Sequence, residues 1–266
     1  MKKDYSIADV VPYINWIYFF HAWGMSGKPD SEKQKLKEEG LAMLQKHQND
    51  YRTHAVVELF EANSDGDDIV VQTGDGPCRL PMLRQQNALP SLCLADFVRP
   101  CSSGIADRIG LFAASVDRGM ETDFGQDPYE QMMMQLLADR LAEATVERLH
   151  EEVRKSLWGY APDEQLSIDD MLTERFRGIR PAVGYPSLPD TSLNFVLDTL
   201  LHLSQIGIRL TENGAMRPHA SVSGLMMAHP QARYFDIGPI GSDQLADYAR
   251  RRGVPEALMR KFLKTN

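Results

Sequence analysis

The most regular pattern of apolar and polar positions in the chain lies between residues 129 and 157. Apolar side chains recur there at intervals of four or eight residues, with Thr145 in the one polar place, and they are Met133, Leu137, Leu141, Leu149, Val153 and Leu157. Side chains at this spacing share one face of a helix. The pattern therefore predicts a long helix over 129–157.

Four shorter stretches combine helix-forming residues with a residue that starts or stops helices. Serine at an N-cap accepts a hydrogen bond from the first turn, and glycine after the last turn adopts the left-handed conformation that ends a helix. The predicted helices are 31–48 with Ser31 as N-cap, 166–176 with Ser167 as N-cap, 192–205 before Gly207, and one from Ser242 to Gly253.

Residues that favour strands fill much of the remaining chain. β-Branched and aromatic residues predict strands, and clusters of Gly, Asn, Asp and Pro predict the turns between them. The predicted strands are 55–60, 68–72 and 110–115, with turns at 63–66 and 74–77, and strand-like residues return at 208, 210, 221–224 and 234–237.

This order of elements predicts an α+β fold. We expect a twisted antiparallel sheet with flanking helices and a helical insertion at roughly 125–180. With no repeat and no low-complexity linker in the sequence, we expect a single domain over 1–266.

Composition narrows the classes of function. The 266 residues are 43% hydrophobic and 25% charged, and their formal net charge is −8. This charge argues against a nucleic-acid partner, because neutralising phosphates requires an excess of Lys and Arg. No stretch approaches the roughly 20 apolar residues of a membrane span, and polar residues interrupt the N-terminal segment, so we expect neither membrane attachment nor a cleaved signal.

The cysteines indicate the redox state of the compartment. Cys78, Cys93 and Cys101 are odd in number and lack C-x-x-C spacing. They suggest neither a disulfide framework nor a zinc site. We therefore expect a reducing, cytoplasmic compartment.

The segment Arg180–Pro186 is the first candidate binding site. Pro181 and Pro186 stiffen it, and Gly184 permits close approach of a ligand or of neighbouring backbone. One interpretation is a preformed ligand clamp, with a guanidinium for a carboxylate, exposed backbone amides, and the Tyr185 ring for a flat or cationic group. The alternative is a stiff surface connection after a helix.

Charged residues on the long predicted helix leave a similar choice open. Asp139 and Glu143 lie one turn apart, where like charges repel each other, which suggests a binding role. The continuation of the acidic row through Glu147 and Glu151 suggests an ordinary solvated face instead.

The run ERFRGIRPAVGYP at 174–186 resembles the signature of the activation domain of cobalamin-dependent methionine synthase. Other stretches resemble the same domain in the same order, from about residue 7 to residue 253. They are PYINW at 12–16, NSDGDDI at 63–69, LRQQ at 83–86, CLADFV at 93–98, LADRLAEA at 137–144, WGYAP at 158–162, LTE at 210–212, ASVSG at 220–224, HP at 229–230 and DYARR at 247–251.

This resemblance implies a C-shaped α+β domain that binds S-adenosylmethionine in a shallow groove and acts as a reactivation module. In the family, the ligand's methyl group restores methylcobalamin from inactive cob(II)alamin, which a partner domain holds, with an electron from a flavodoxin-like reductant. The protein's share of that chemistry is positioning. The chain would be enzymatic only as part of methionine synthase, the 5-methyltetrahydrofolate–homocysteine methyltransferase.

The resemblance also assigns residues. The expected S-adenosylmethionine contacts are Asn15, Glu143, Glu174, Arg180, Ala182, Gly184, Tyr185, Tyr234 and Phe235, and Asp139 is expected to face cobalamin. It implies no catalytic residue and no metal ligand on this chain.

Several positions depart from the family pattern. Asn15 stands where the family has an aspartate, Phe235 replaces a tyrosine, and Arg217 and Leu225 stand where tryptophans are expected. The chain also lacks the D-x-H-x-x-G motif of a cobalamin-binding domain and paired cysteines for zinc. We therefore expect it to act on a cobalamin-binding chain in trans; the alternative is a diverged S-adenosylmethionine-binding sensor without reactivation activity.

Overall fold

A six-stranded antiparallel sheet forms the centre of the fold in the computed structural model, which describes residues 1–263. Five strands follow the order β4-β3-β2-β5-β8, and β1 pairs with the first part of β2. A separate two-stranded ribbon joins β6 and β7. The strands are β1 (Lys2–Ser6), β2 (Arg52–Asp65), β3 (Asp68–Thr73), β4 (Gly76–Pro81), β5 (Asp107–Val116), β6 (Arg209–Leu210), β7 (Met216–Arg217) and β8 (Ser221–Met226).

Helices lie on both faces of this sheet. They are α1 (Ile7–Val10), α2 (Trp16–Ala22), α3 (Asp30–Lys46), α4 (Gly119–Thr122), α5 (Pro128–Glu152), α6 (Ile168–Leu172), α7 (Leu193–Leu201), α8 (Ser242–Arg252) and α9 (Glu256–Phe262). A π-helical turn, Val153–Leu157, continues α5.

The strand β5 shows why the sheet has a hydrophobic core on each face. Its residues are buried from Ile109 to Val116, and successive side chains of a strand point to opposite faces. Phe112 and Ala114 join the core beneath α5, whereas Leu111 and Ala113 join the core beneath α7. The sheet is therefore covered on both sides, and α5 lies across one face.

The long predicted helix is confirmed, and its apolar row is the surface that α5 buries. Met133, Leu137, Leu141, Leu149 and Val153 are each at most 1% exposed. The helix begins after Asp127, whose carboxylate accepts from the Tyr129 and Glu130 amides. Its last predicted turn is π-helical rather than α-helical.

Two of the predicted helix ends are confirmed. Ser167 caps α6 in a capping box with Asp170, and Gly253 adopts the left-handed conformation after α8. The helix predicted over 192–205 is too long, since α7 ends at Leu201 and Gly207 follows a separate 3₁₀ turn, Leu203–Ile206. The prediction that Ser31 is an N-cap is wrong, because Pro29 holds the cap position in an extended conformation and α3 begins at Asp30. The helix predicted over 166–176 is also too long, since α6 ends at Leu172.

The strand predicted at 234–237 is wrong. This segment has no regular structure and pairs with no strand within the described residues. The turns predicted at 63–66 and 74–77 are shorter than expected, since β2 continues to Asp65 and β4 begins at Gly76.

Within residues 1–263, no helix has the length and apolarity to cross a bilayer. In the same range, no three His, Cys, Asp or Glu side chains are grouped so that they could hold a metal ion.

Candidate functional site

A cavity of about 980 Å³ opens beside α5 and brings most of the sequence-predicted residues together. Its walls come from α2, α5, the loop 172–187 and the segment 234–236. Eight of the nine residues predicted to bind S-adenosylmethionine line it: Asn15, Glu143, Glu174, Arg180, Ala182, Tyr185, Tyr234 and Phe235. Their role as ligand contacts stays a prediction.

The segment 179–183 is held in place because it pairs with the outer edge of β8. Ala182 lies opposite Gly224 in an antiparallel bridge, and the two amide-to-carbonyl hydrogen bonds that flank this pair measure 2.9 and 3.0 Å. In such a pair, the amide and carbonyl of the bridged residue point away from the partner strand. The Ala182 N–H therefore points away from β8.

Gly224 makes this close pairing possible. A Cβ atom at this position would meet the carbonyl oxygen of Pro181 and would lie 2.9 Å from both the Ala182 Cα and a Phe112 ring carbon. Real Cβ contacts are not this short, so any larger residue would push the loop off the strand.

The expectation of several exposed backbone amides in this loop is wrong for three of the four residues 182–185. The Val183 amide donates to the Ser223 carbonyl, the Gly184 amide to Leu188, and the Tyr185 amide to Ala182. Among these four residues, only the Ala182 amide lacks an acceptor within the described part of the chain. Gly184 itself has a φ of +89° and does not line the cavity; its ligand contact stays a prediction.

Glu143 projects from α5 into the cavity and is held from two sides. Arg140, three residues earlier on the helix, donates to its Oε2 at 2.8 Å, and the Tyr185 hydroxyl donates to its Oε1 at 3.1 Å. Burial, aided by the adjacent Glu143 carboxylate, raises the pKa of Tyr185 to about 12. The tyrosine therefore stays a neutral hydrogen-bond donor at neutral pH.

Arg180 meets Glu147 one helical turn beyond Glu143. The Arg180 Nη2 donates to Glu147 Oε1, and the two side chains are only 17% and 12% exposed. Burial raises the pKa of Glu147, although the charge of Arg180 opposes that shift. The Arg180 amide donates to the Tyr234 hydroxyl at 3.0 Å, which ties the loop to the segment 234–236 of the cavity wall.

Glu174 faces the cavity from the loop after α6 in an unusual backbone conformation. Its φ is +59°, a left-handed value that a non-glycine residue adopts at some cost. The residue is exposed, and within residues 1–263 its carboxylate has neither an ion pair nor a hydrogen bond. The cavity thus contains one unpaired carboxylate close to Arg180.

Asn15 lies at the opposite wall, where it caps α2. Its Oδ1 accepts a hydrogen bond from the Ile17 amide at 3.1 Å. The other polar atom of this side chain is Nδ2, which is a neutral donor.

Asp139 is not part of the cavity wall. It lies one turn before Glu143 on α5, and its carboxylate is 3.4 Å from His219 Nδ1. Burial raises the pKa of Asp139. Its predicted contact with cobalamin stays a prediction.

A buried polar layer supports the loop from beneath. Phe176 packs edge-on against His150 at 4.8 Å, and the Arg154 guanidinium lies 4.5 Å from the same ring. Arg154 is fully buried and pairs with Glu164 at 2.7 Å. Burial, with the charges of nearby arginines, lowers the pKa of His150 well below 6.5, so this histidine is neutral.

Sequence reasoning missed part of the site. Arg140, Glu147 and Asp236 line the cavity, together with Tyr13, Tyr18 and His21. Glu147 follows Glu143 at helical spacing, so the sequence could have predicted that both face the same cavity. The interpretation of the acidic row as a solvated face left Glu147 out of the predicted site. Among the described lining residues, four carboxylates face two guanidinium groups, so the cavity carries an excess of negative charge.

Comparisons with known proteins identify the family of this chain. Residues 6–253 match the family described as the activation domain of vitamin B12 dependent methionine synthase. The crystal structure of the MetH reactivation domain bound to AdoHcy superposes with a TM-score of 0.93 and 37% sequence identity, covering 100% of this chain and 89% of that one. The chain therefore belongs to the family of methionine synthase activation domains.

Proposed function

We propose that this chain binds S-adenosylmethionine in the cavity beside α5 and supports the reductive remethylation of cob(II)alamin held by a separate cobalamin-binding chain. The observation that supports this best is the convergence of Arg180, Glu143, Glu174 and Tyr234, which lie far apart in sequence, on one cavity of about 980 Å³. The AdoHcy-bound relative adds support, because its ligand differs from S-adenosylmethionine by one methyl group.

The lining fits the chemistry of this ligand. An α-amino-acid end offers a carboxylate for Arg180 and an ammonium for the carboxylates of the cavity. At neutral pH, S-adenosylmethionine has one net positive charge, which complements the excess of carboxylates in the cavity. The rings of Tyr18, Tyr234 and Phe235 offer flat surfaces for an adenine or a sulfonium.

The contribution of this chain to the reaction is binding and orientation. Cobalamin, when the partner brings it, supplies the metal that accepts the methyl group. The loop 179–183 is fixed on the edge of β8 and α5 is fixed on the sheet, so the groups facing the ligand need little reordering when it binds.

Two measurements test the proposal. Isothermal titration calorimetry with S-adenosylmethionine should give saturable binding; no heat at millimolar ligand would contradict it. Mixing the chain with a cobalamin-domain fragment, a flavodoxin-like reductant and S-adenosylmethionine should give the absorption spectrum of methylcobalamin.

The second candidate is a diverged binding module, and one observation favours it. Asn15 presents a donor where the family has an anionic acceptor. Saturable binding without methylcobalamin formation, under conditions in which another activation domain is active, would select this alternative.

A further inference from the structure

The Glu147 carboxylate has a place in the site that neither the sequence signature nor the solvated-face interpretation assigns. It lies one turn beyond Glu143 on α5, and its side chain is 12% exposed. Its Oε1 accepts from Arg180, and its Oε2 is buried without a hydrogen-bond partner. A carboxylate buried to this extent is costly unless a cation compensates it, and Arg180 is that cation.

The same contact determines which atom of Arg180 can meet a ligand. One N–H of its Nη2 donates to Glu147, and its Nε is buried without a partner. Within residues 1–263 the Nη1 group has no hydrogen-bond partner and is not buried, so both of its N–H donors are available to the cavity. A guanidinium is rigid and planar, so fixing one edge of it fixes the direction of the other donors.

From this geometry we infer that Glu147 is the positioning residue of the site: it holds the Arg180 guanidinium so that Nη1 points at the carboxylate of the ligand. The inference rests on the proposed binding of S-adenosylmethionine. Glu147 acts only through Arg180, so its effect is confined to ligands that carry a carboxylate.

Two ligands, one with and one without a carboxylate, can therefore distinguish positioning of Arg180 from a general structural role of Glu147. Decarboxylated S-adenosylmethionine keeps the sulfonium and the ammonium but has no carboxylate for Arg180. If Glu147 merely stabilised the fold, its replacement would weaken the binding of both ligands alike. If it positions Arg180, its replacement weakens the binding of S-adenosylmethionine and has less effect on the ligand without a carboxylate.

The test is calorimetry of both ligands with Glu147→Gln, which removes the charge and keeps the shape. We expect the ratio of the two affinities to shift against S-adenosylmethionine by about tenfold, as for a lost charge-assisted hydrogen bond. The matched control is Glu152→Gln, on the same helix but outside the cavity, which removes a carboxylate of similar exposure, 18%, that pairs with Lys3 and Arg148. An unchanged ratio in Glu147→Gln would overturn the inference.

A double-mutant cycle keeps the test decisive where Glu147→Gln folds poorly. The pair Glu147→Gln, Arg180→Gln leaves no buried unpaired charge, and in the Arg180→Gln background the second change should not alter the ratio further. A further shift of the ratio would contradict action through Arg180. If the unaltered chain binds no S-adenosylmethionine, it is the proposed function that fails; normal binding with an unshifted ratio removes only the role of Glu147.

Discussion

At the scale of single residues, Asn15 determines what one wall of the cavity offers to a ligand. Its Oδ1 caps α2, so its remaining polar atom is a hydrogen-bond donor. We predict that Asn15→Asp keeps the cap and turns the second atom into an anionic acceptor. The affinity for S-adenosylmethionine should rise several-fold in calorimetry, about the value of one charge-assisted hydrogen bond. Asn213→Asp, at an exposed position outside the cavity, is the control; weaker or equal binding by Asn15→Asp would contradict the prediction.

Glu174 should distinguish the methylated ligand from its demethylated product. The carboxylate is unpaired in the described chain, and S-adenosylmethionine differs from S-adenosylhomocysteine by the positive charge on sulfur. Charges at contact distance near a protein surface attract each other by about 1 to 4 kcal/mol. We expect Glu174→Gln to lower the affinity for S-adenosylmethionine about fivefold and that for S-adenosylhomocysteine less. Equal losses for both ligands would show that Glu174 does not sense the sulfonium; Glu212→Gln is the exposed control.

The residues of the site were predictable only in part, for a physical reason. The loop 174–186 has a distinctive sequence, and its residues could be named without a structure. Whether an acidic residue on a helix is solvated depends instead on what packs against it from elsewhere. Glu147 is shielded by Arg180, which is 33 positions away in the chain, and no local pattern reports that contact.

At the scale of elements, the junction between the site loop and β8 is the most sensitive place. We predict that Gly224→Ala forces the segment 179–183 away from the strand, because a Cβ atom there meets Pro181. The expected results are a lower melting temperature, by several degrees, and a weaker affinity for S-adenosylmethionine. Gly74→Ala, in a turn where a Cβ atom has open space, provides the comparison. Unaltered binding by Gly224→Ala would mean that the loop does not need this edge.

The predictability of the elements follows the strength of their local signals. The helix α5 has a long apolar row with Thr145 as its one polar member, and Ser167 and Gly253 act through bonds to their own helices. The strand β1 was not predicted, since its residues KKDYS bury only Tyr5 and it forms by pairing with β2. The Gly and Pro residues at 76 and 77 predict a turn where β4 begins. Such strands depend on partners distant in sequence.

At the scale of the whole molecule, the stability should depend on pH through His150. Its pKa is lowered well below 6.5 in the folded state, so the unfolded chain binds a proton more readily. Stability from this group is complete above pH 6.5 and falls as the pH decreases below that value, by up to about 1.4 kcal/mol per unit. We expect His150→Gln to flatten the dependence of the unfolding free energy between pH 6.5 and pH 5, measured in urea.

Comparison with a second variant isolates this effect from the carboxylates that titrate in the same range. His202→Gln replaces an exposed histidine and serves as the reference for the slope. If His150→Gln has the same slope as His202→Gln, the buried histidine is not a source of the acid sensitivity.

The pairing of residues 179–182 with β8 has a consequence for solubility. A strand at the border of a sheet presents free amides and carbonyls, which recruit strands from other molecules. Here residues 179–182 cover that border, so the segment that lines the candidate site also shields Ser221–Met226 from other chains. Sequence changes that free the loop would expose a ready template for aggregation, and selection for a soluble protein would then conserve the loop even where the ligand is no longer needed.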